Sequence, residues 1–231
     1  MKKLLLLSSS RLDNTVYLDH AKAMIQTHLS EVRSVVFIPY AGVTVNYDEY
    51  TVMVQTALSD LAVTVKGIHQ FDCPKAAINE AEAVLVGGGN TFRLLERLYH
   101  FDLIALLKAK VEQGMPYIGW SAGSNIAGLS IKTTNDMPII EPPSFGGLQL
   151  VNCQLNPHYT DYNPPGHNGE TREQRIAEFM VLSPETPIIG IVEGSALNVL
   201  GQSIELLGDK NGYYFIGGKK KVIDSGDQIT L

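Results

Sequence analysis

The fold is most visible in the segment Met115-Pro116-Tyr117-Ile118-Gly119-Trp120-Ser121-Ala122-Gly123. Its apolar part, residues 117–119, is typical of a short strand that is buried on both faces. The glycines at 119 and 123 flank a serine in the pattern G-x-S-x-G, and residues 124–129 could continue as a helix. A strand, a sharp turn and a helix in this order are typical of an α/β fold with a parallel sheet.

The rest of the chain repeats this alternation. The apolar runs predicted as strands are residues 4–7, 34–38, 63–68, 83–86, 117–119 and 188–192. The helical patterns between them cover residues 16–29, 48–61, 91–98 and 104–113. Short strands separated by glycine-rich turns follow at 197–200, 204–207, 212–216 and 221–223. We therefore expect one α/β domain over residues 1–231, with a mainly parallel sheet covered by helices on both faces and a C-terminal antiparallel meander.

Composition limits the class of protein. The chain has 231 residues, of which 45% are hydrophobic and 18% charged, and this composition fits a globular protein. Its formal charge of −6 argues against a general nucleic-acid binder. The leucine run that begins at Leu4 ends in serines and is too short for a membrane span. Cys73 and Cys153 fit neither a zinc site nor a CxxC pair, so we expect a cytoplasmic protein with reduced cysteines.

Ser121 is the candidate nucleophile. A serine at the apex of a strand–turn–helix motif exposes its hydroxyl, and small neighbours avoid collisions with the strand and the helix. The backbone N–H of Ala122 would lie beside that hydroxyl, where it could stabilise an oxyanion. The structural alternative is a glycine-rich turn in which Ser121 only caps the following helix.

A serine nucleophile needs a base and, behind the base, a group that orients it. Of the six histidines, His158 is the candidate base because it follows Asn156-Pro157 at the start of an irregular segment, 156–169. Two carboxylates could orient it. Asp136 gives the chain order Ser, Asp, His of many G-x-S-x-G hydrolases, whereas Glu193 directly follows a predicted strand, at the edge where open α/β sheets form their sites. The residues alone leave this choice open.

A second glycine run, Gly87-Gly88-Gly89-Asn90, also joins a predicted strand to a predicted helix. It lacks the glycine spacing of a dinucleotide-binding loop and the Gly-Lys-Ser/Thr of a phosphate-binding loop. A glycine-rich turn next to the nucleophile strand could instead supply a second oxyanion donor.

The chain resembles the peptidase E family of serine peptidases, whose wider family includes the cyanophycinases. The resemblance runs through residues 37–43, 86–92, 118–125, 133–139, 156–158 and 169–176, and thus covers nearly the whole chain. It implies an α/β sandwich fold and metal-independent hydrolysis of dipeptides with an N-terminal aspartate (Asp-Xaa).

The resemblance also implies roles for individual residues. It makes Ser121 the nucleophile and His158 the base, and it favours Asp136 over Glu193 as the third member of the triad. It suggests that Arg172 binds the substrate aspartate, for which a guanidinium fork is suited.

Several expectations complete this hypothesis. Gly89 and Ala122 would hold the oxyanion, and the segments 135–146 and 159–169 would enclose a small site. We expect no cofactor, nucleic acid or membrane partner, and a monomer or small homo-oligomer. The alternative functions are a cyanophycinase-like enzyme acting on β-linked aspartyl-arginine and a non-catalytic binding module.

Overall fold

The computed structural model of the protein describes residues 1–166 and 168–231. His167, which the sequence places in a polar loop, lies outside the described residues. The strands are β1 (Lys3–Leu7), β2 (Ser34–Ile38), β3 (Thr64–Gly67), β4 (Ala83–Val86), β5 (Tyr117–Trp120), β6 (Gln154–Tyr159), β7 (Ile188–Val192), β8 (Ala196–Leu200), β9 (Ser203–Leu207), β10 (Gly212–Ile216), β11 (Lys219–Ile223) and β12 (Gln228–Ile229). The α-helices are α1 (Lys22–His28), α2 (Tyr47–Ala57), α3 (Pro74–Glu80), α4 (Thr91–His100), α5 (Ile104–Glu112), α6 (Ala122–Asn125) and α7 (Arg172–Leu182).

A large sheet of eight strands has the order β12-β9-β8-β1-β5-β4-β2-β3. Strands β1, β5, β4, β2 and β3 are parallel, and β8, β9 and β12 extend this sheet with antiparallel pairings. Because β5 lies between β1 and β4, the segments that follow these three strands meet at one edge of the sheet. The predicted fold class is confirmed.

Helices cover both faces of the parallel strands. Successive side chains of a strand point to opposite faces of the sheet, so a strand that is apolar throughout needs cover on both faces. On one face, Leu4 and Leu6 share a buried cluster with residues of α3, α4 and α5. On the other face, Leu5 and Leu7 pack in a cluster with residues of α1 and α2. No helix within the described part of the chain is long and apolar enough to span a membrane.

A second sheet, with the order β11-β10-β7-β6, corrects two details of the prediction. Strand β7 pairs in parallel with β6 and not with a strand of the large sheet. The C-terminal meander is divided, because β8 and β9 join the large sheet whereas β10 and β11 join β7. An apolar strand shows that both of its faces are buried, but it does not reveal which strands are its neighbours.

Two local predictions were also inaccurate. The helix after the turn at Ser121 is the single turn α6, not residues 124–129. The segment 156–169 was predicted as irregular, but its first four residues belong to strand β6, which runs from Gln154 to Tyr159. A proline within β6 weakened the strand signal, as proline is rare inside sheets.

Acid sensitivity should arise from His28 on α1, whose side chain is buried. Burial, together with the nearby charge of Lys3, lowers the pKa of His28 to about 4. An unfolded histidine titrates near pH 6.5, so on acidification the unfolded state takes up the proton first. The contribution of His28 to stability is fully present above about pH 6.5 and is lost as the pH falls towards 4. By pH 5 the free energy of unfolding should be lower by roughly 2 kcal/mol.

Urea unfolding at pH 7.5 and pH 5 tests this expectation. The variant His28→Gln should lose less stability between these pH values than the wild type, whereas His100→Gln, at an exposed position, should behave as the wild type. Identical losses in all three proteins would contradict the assignment to His28.

Candidate active site

Ser121 occupies a strained turn between β5 and α6, with φ 52° and ψ −114°. Positive φ is uncommon for a residue other than glycine and is concentrated at functional sites. The turn is possible because Gly119 and Gly123, two positions to either side of Ser121, have no side chain. A Cβ on Gly119 would overlap the Gly123 carbonyl, and one on Gly123 would overlap the Val86 carbonyl. The Ser121 N–H donates to the Leu7 carbonyl, which joins the turn to the end of β1.

His158 lies in the second sheet at an irregularity of strand β6. Its φ is +57°, and the pairing register with β7 shifts between Pro157 and Tyr159. The backbone N–H of His158 donates to Ser8 Oγ at 2.9 Å, and this hydroxyl donates to the Ile191 carbonyl at 2.7 Å. Ser8, directly after β1, therefore joins the large sheet to both β6 and β7.

The structure brings Ser121, His158 and Glu193 into one hydrogen-bonded array. His158 Nε2 is 2.9 Å from Ser121 Oγ, and His158 Nδ1 is 2.6 Å from Glu193 Oε1. An ionised carboxylate can only accept, so the pairing with Glu193 keeps the imidazole proton on Nδ1. Nε2 then presents a lone pair to the Ser121 hydroxyl, which is the arrangement that a general base requires.

The preference for Asp136 as the carboxylate behind His158 was wrong as a matter of geometry. Asp136 Oδ2 accepts from the Thr91 backbone N–H at 2.7 Å and also from the Thr91 hydroxyl, at the start of α4. Glu193, the alternative, occupies the position at the imidazole. The physical reason is that β7 runs parallel to β6, so the residue following β7 lies beside the end of β6.

Gly89 and Ala122 both have backbone N–H groups that donate to no other group among the described residues. The glycine run passes close to the serine, since a Cβ on Gly88 would lie 3.0 Å from Ser121 Cβ. The Tyr50 hydroxyl donates to the Gly88 carbonyl at 3.0 Å. Because a trans peptide points its C=O and N–H in opposite directions, this bond fixes the direction of the Gly89 N–H.

The Tyr50 hydroxyl is itself held in place. It accepts from Trp120 Nε1 at 3.2 Å and from the Tyr17 hydroxyl at 3.0 Å. Burial raises the pKa of Tyr50, so the hydroxyl keeps its proton and remains a donor. Sequence reasoning missed both Tyr50 and Tyr17.

A cavity of about 470 Å³ opens beside Ser121 and His158. Its apolar wall includes Val43, Val45, Met53 and Ile139. The segment 42–45 follows β2, which neighbours β4, and this position at the carboxyl edge is the signal that could have identified it. Of the two segments expected to enclose the site, 135–146 contributes Ile139 to this cavity, whereas none of the described residues of 159–169 lines it.

Arg172 is the first residue of α7, and it forms no ion pair or side-chain hydrogen bond with the described residues. Burial and the neighbouring charge of Arg175 lower the pKa of Arg172, and the negative charge of Asp136 opposes this shift. Arg172 thus lies within electrostatic range of Asp136, although it does not line the cavity beside Ser121. Among residues 1–166 and 168–231, no group of three His, Cys, Asp or Glu side chains is arranged to hold a metal ion.

Comparisons with known proteins agree with this fold. The family model described as Peptidase family S51 matches residues 4–207. Proteins named Peptidase E from Shewanella denitrificans OS217 and Shewanella oneidensis MR-1 are 55% and 54% identical over 94% of this chain, and the alignments cover 93% and 92% of those proteins.

Two solved structures share the fold. A candidate peptidase E protein from Listeria monocytogenes EGD-e superimposes with a TM-score of 0.67 at 24% identity, covering 90% of this chain and 98% of that one. A peptidase from an acI-B1 Actinobacterium gives a TM-score of 0.68 at 15% identity, covering 100% and 97% of the two chains.

The protein is therefore a hydrolase of the serine peptidase class. Within that class, the chain belongs to peptidase family S51.

Proposed function

We propose that the protein is an α-aspartyl dipeptidase that hydrolyses Asp-Xaa through Ser121, His158 and Glu193. The main support is a continuous hydrogen-bonded array. Ser121 Oγ is 2.9 Å from His158 Nε2, and His158 Nδ1 is 2.6 Å from Glu193 Oε1. The similarity to proteins named Peptidase E supports a dipeptide substrate.

The reaction proceeds in two halves. Ser121 Oγ attacks the peptide carbonyl while His158 Nε2 takes the hydroxyl proton, and Glu193 stabilises the imidazolium that forms. The N–H groups of Gly89 and Ala122 donate to the oxyanion. His158 then protonates the departing amine, and water hydrolyses the aspartyl ester by the same steps.

The substrate's aspartate side chain pairs with Arg172. Two features support this assignment: the guanidinium has no partner among the described residues, and it lies in the field of Asp136 beside the nucleophile. A guanidinium can bind a carboxylate through two parallel hydrogen bonds, which gives both charge and shape selection. Binding would bring the arginine towards Ser121 from the start of α7.

The second residue of the dipeptide occupies the cavity of about 470 Å³, where apolar side chains form much of the wall. None of the described residues that line this cavity is acidic. A cyanophycinase-like enzyme would need an acidic group there for the arginine side chain, so the lining favours Asp-Xaa with an apolar second residue. Assays of Asp-Leu and β-Asp-Arg distinguish the two substrates, and faster cleavage of β-Asp-Arg would contradict this choice.

Ser121→Ala should lower kcat on Asp-Leu by about 10³- to 10⁶-fold, because the acyl-enzyme can no longer form. A fluorophosphonate should label the wild type on the peptide that contains Ser121, as located by mass spectrometry. Ser59→Ala, at an exposed position, should keep wild-type activity and labelling. Near-normal hydrolysis by Ser121→Ala, or no labelling of the wild type, would leave a different nucleophile or a non-catalytic binding module as the explanation.

Arg172→Lys should lower kcat/KM on Asp-Leu about 10- to 100-fold more than on Asn-Leu, since lysine keeps the charge but cannot form the bidentate pair. Arg175→Lys is the matched control on the same helix. Arg175 Nε lies 3.7 Å from Glu170 Oε2. Equal losses on both dipeptides would remove Arg172 from aspartate recognition.

Tyr50→Phe should lower kcat about 10-fold with little change in KM, because the Gly88–Gly89 peptide loses the bond that orients its oxyanion donor. Tyr47→Phe, on the same helix, is the control. Its ring packs on Tyr40 and His69, and its substitution should leave kcat unchanged. An unchanged kcat in Tyr50→Phe would show that the Gly89 N–H needs no such support.

A further inference from the structure

A second, small cavity also adjoins Ser121 and His158. Its volume is about 20 Å³, and its lining includes Ser121, Asn125, Asp136 and His158. A space of this size holds one group as large as a water molecule. Any group bound there is next to the atom that attacks the substrate.

Two residues that line this cavity each have a side-chain oxygen that accepts no hydrogen bond from the described residues. Asn125 is 1% exposed, and its Nδ2 donates to the Leu155 carbonyl at 2.7 Å, which assigns the other amide atom as Oδ1. Asn125 Oδ1 is buried and has no hydrogen-bond partner among the described residues. Asp136 accepts three bonds from Thr91 and Thr134 through Oδ2, whereas Oδ1 receives none from the described residues.

These two oxygens indicate which ligand the cavity would bind. A buried acceptor that lacks a donor is costly, so Asn125 Oδ1 favours a ligand that donates hydrogen bonds. Asp136 is half-buried, and its Oδ1 is available to accept from the same ligand. The carboxylate adds a preference for positive charge, and a primary ammonium supplies three donors in a volume close to that of water. In a dipeptide, the α-ammonium is attached to the carbon next to the carbonyl that Ser121 attacks.

We propose that Asp136 and Asn125 bind the α-ammonium of the substrate and make the enzyme selective for a free amino terminus. This inference rests on the proposed dipeptidase function and gives Asp136 a role in substrate binding. The bonds from Thr91 and Thr134 hold Oδ2, which leaves Oδ1 for the substrate. Asp136 and Arg172 then read the two charges of an N-terminal aspartate, the ammonium and the side-chain carboxylate.

The alternative is that Asp136 only stabilises the start of α4, where a carboxylate is favourable. A substrate that differs in one group separates the two roles. Succinyl-leucine is Asp-Leu without its amino group, so it keeps the side-chain carboxylate, the scissile bond and the leucine. A structural defect in the enzyme affects both compounds equally, whereas loss of an ammonium site affects only Asp-Leu.

The experiment measures kcat/KM on both compounds for the wild type, Asp136→Asn and Asp60→Asn. Asp136→Asn should lower the value for Asp-Leu about 10- to 100-fold and change that for succinyl-leucine by less than about twofold. Asp60→Asn removes the same charge at an exposed position and should behave as the wild type. Equal losses on both compounds, or no loss on either, would overturn the proposal.

A second readout needs no variant. The α-amino group of a peptide titrates near pH 7.7–8.0, so the ratio of kcat/KM for Asp-Leu to that for succinyl-leucine should fall as the pH rises through this range in the wild type. His158 and Arg172 act on both compounds, so their contributions largely cancel in the ratio, whereas Asp136 acts on the ammonium of Asp-Leu alone. A ratio that stays constant from pH 6.5 to 9 would contradict an ammonium site.

The outcomes also separate this proposal from the proposed function. If the wild type cleaves Asp-Leu but Asp136→Asn leaves the ratio unchanged, the ammonium site is wrong and the dipeptidase assignment stands. If another dipeptide is cleaved in place of Asp-Leu, the aspartate specificity is wrong, and that dipeptide and its desamino analogue test Asp136 in the same way. A wild type that cleaves no free dipeptide faster than its desamino analogue overturns the ammonium site.

Discussion

The strained turn at Ser121 is the constraint on which the site depends. A serine with φ 52° costs of order 1–3 kcal/mol, and the surrounding structure must hold it there. The missing side chains at Gly119 and Gly123 let strand β5, helix α6 and strand β4 approach one another. The Ser124 hydroxyl donates to the carbonyls of Leu7 and Gly119, which closes the turn from below. The result is a hydroxyl presented at the carboxyl edge of the large sheet.

His158, the proposed base, comes from a different sheet than Ser121, so the site requires a connection between the two sheets. Ser8 provides it, because its hydroxyl accepts from the His158 backbone and donates to Ile191. His158 also has positive φ, at +57°, within a break of the β6–β7 register. Ser121 and His158 are thus both presented by unusual backbone conformations, and hydrogen bonds with the end of β1 hold both of them.

The sequence predicted the elements better than their association. Strand bounds such as Ser34–Ile38 and Ile188–Val192 agree with the structure because short apolar runs between polar turns have few alternatives. The G-x-S-x-G run drew attention to Ser121 because a sharp turn needs residues without side chains at the two glycine positions. The pairing of β7 with β6 could not be read from composition, and it is this pairing that brings Glu193 to the imidazole of His158.

Asp136 also shows that the order of residues along the chain does not determine which side chains lie together. Its position in the chain agrees with a Ser, Asp, His order, yet its carboxylate binds the start of α4 and lines a small cavity together with Ser121. From this geometry we infer that Glu193, and not Asp136, holds the proton on His158 Nδ1. Proton NMR of the imidazole N–H tests it most directly: a downfield signal should appear in the wild type, persist in Asp136→Asn and disappear in Glu193→Gln. A signal that disappears in Asp136→Asn and persists in Glu193→Gln would contradict the account.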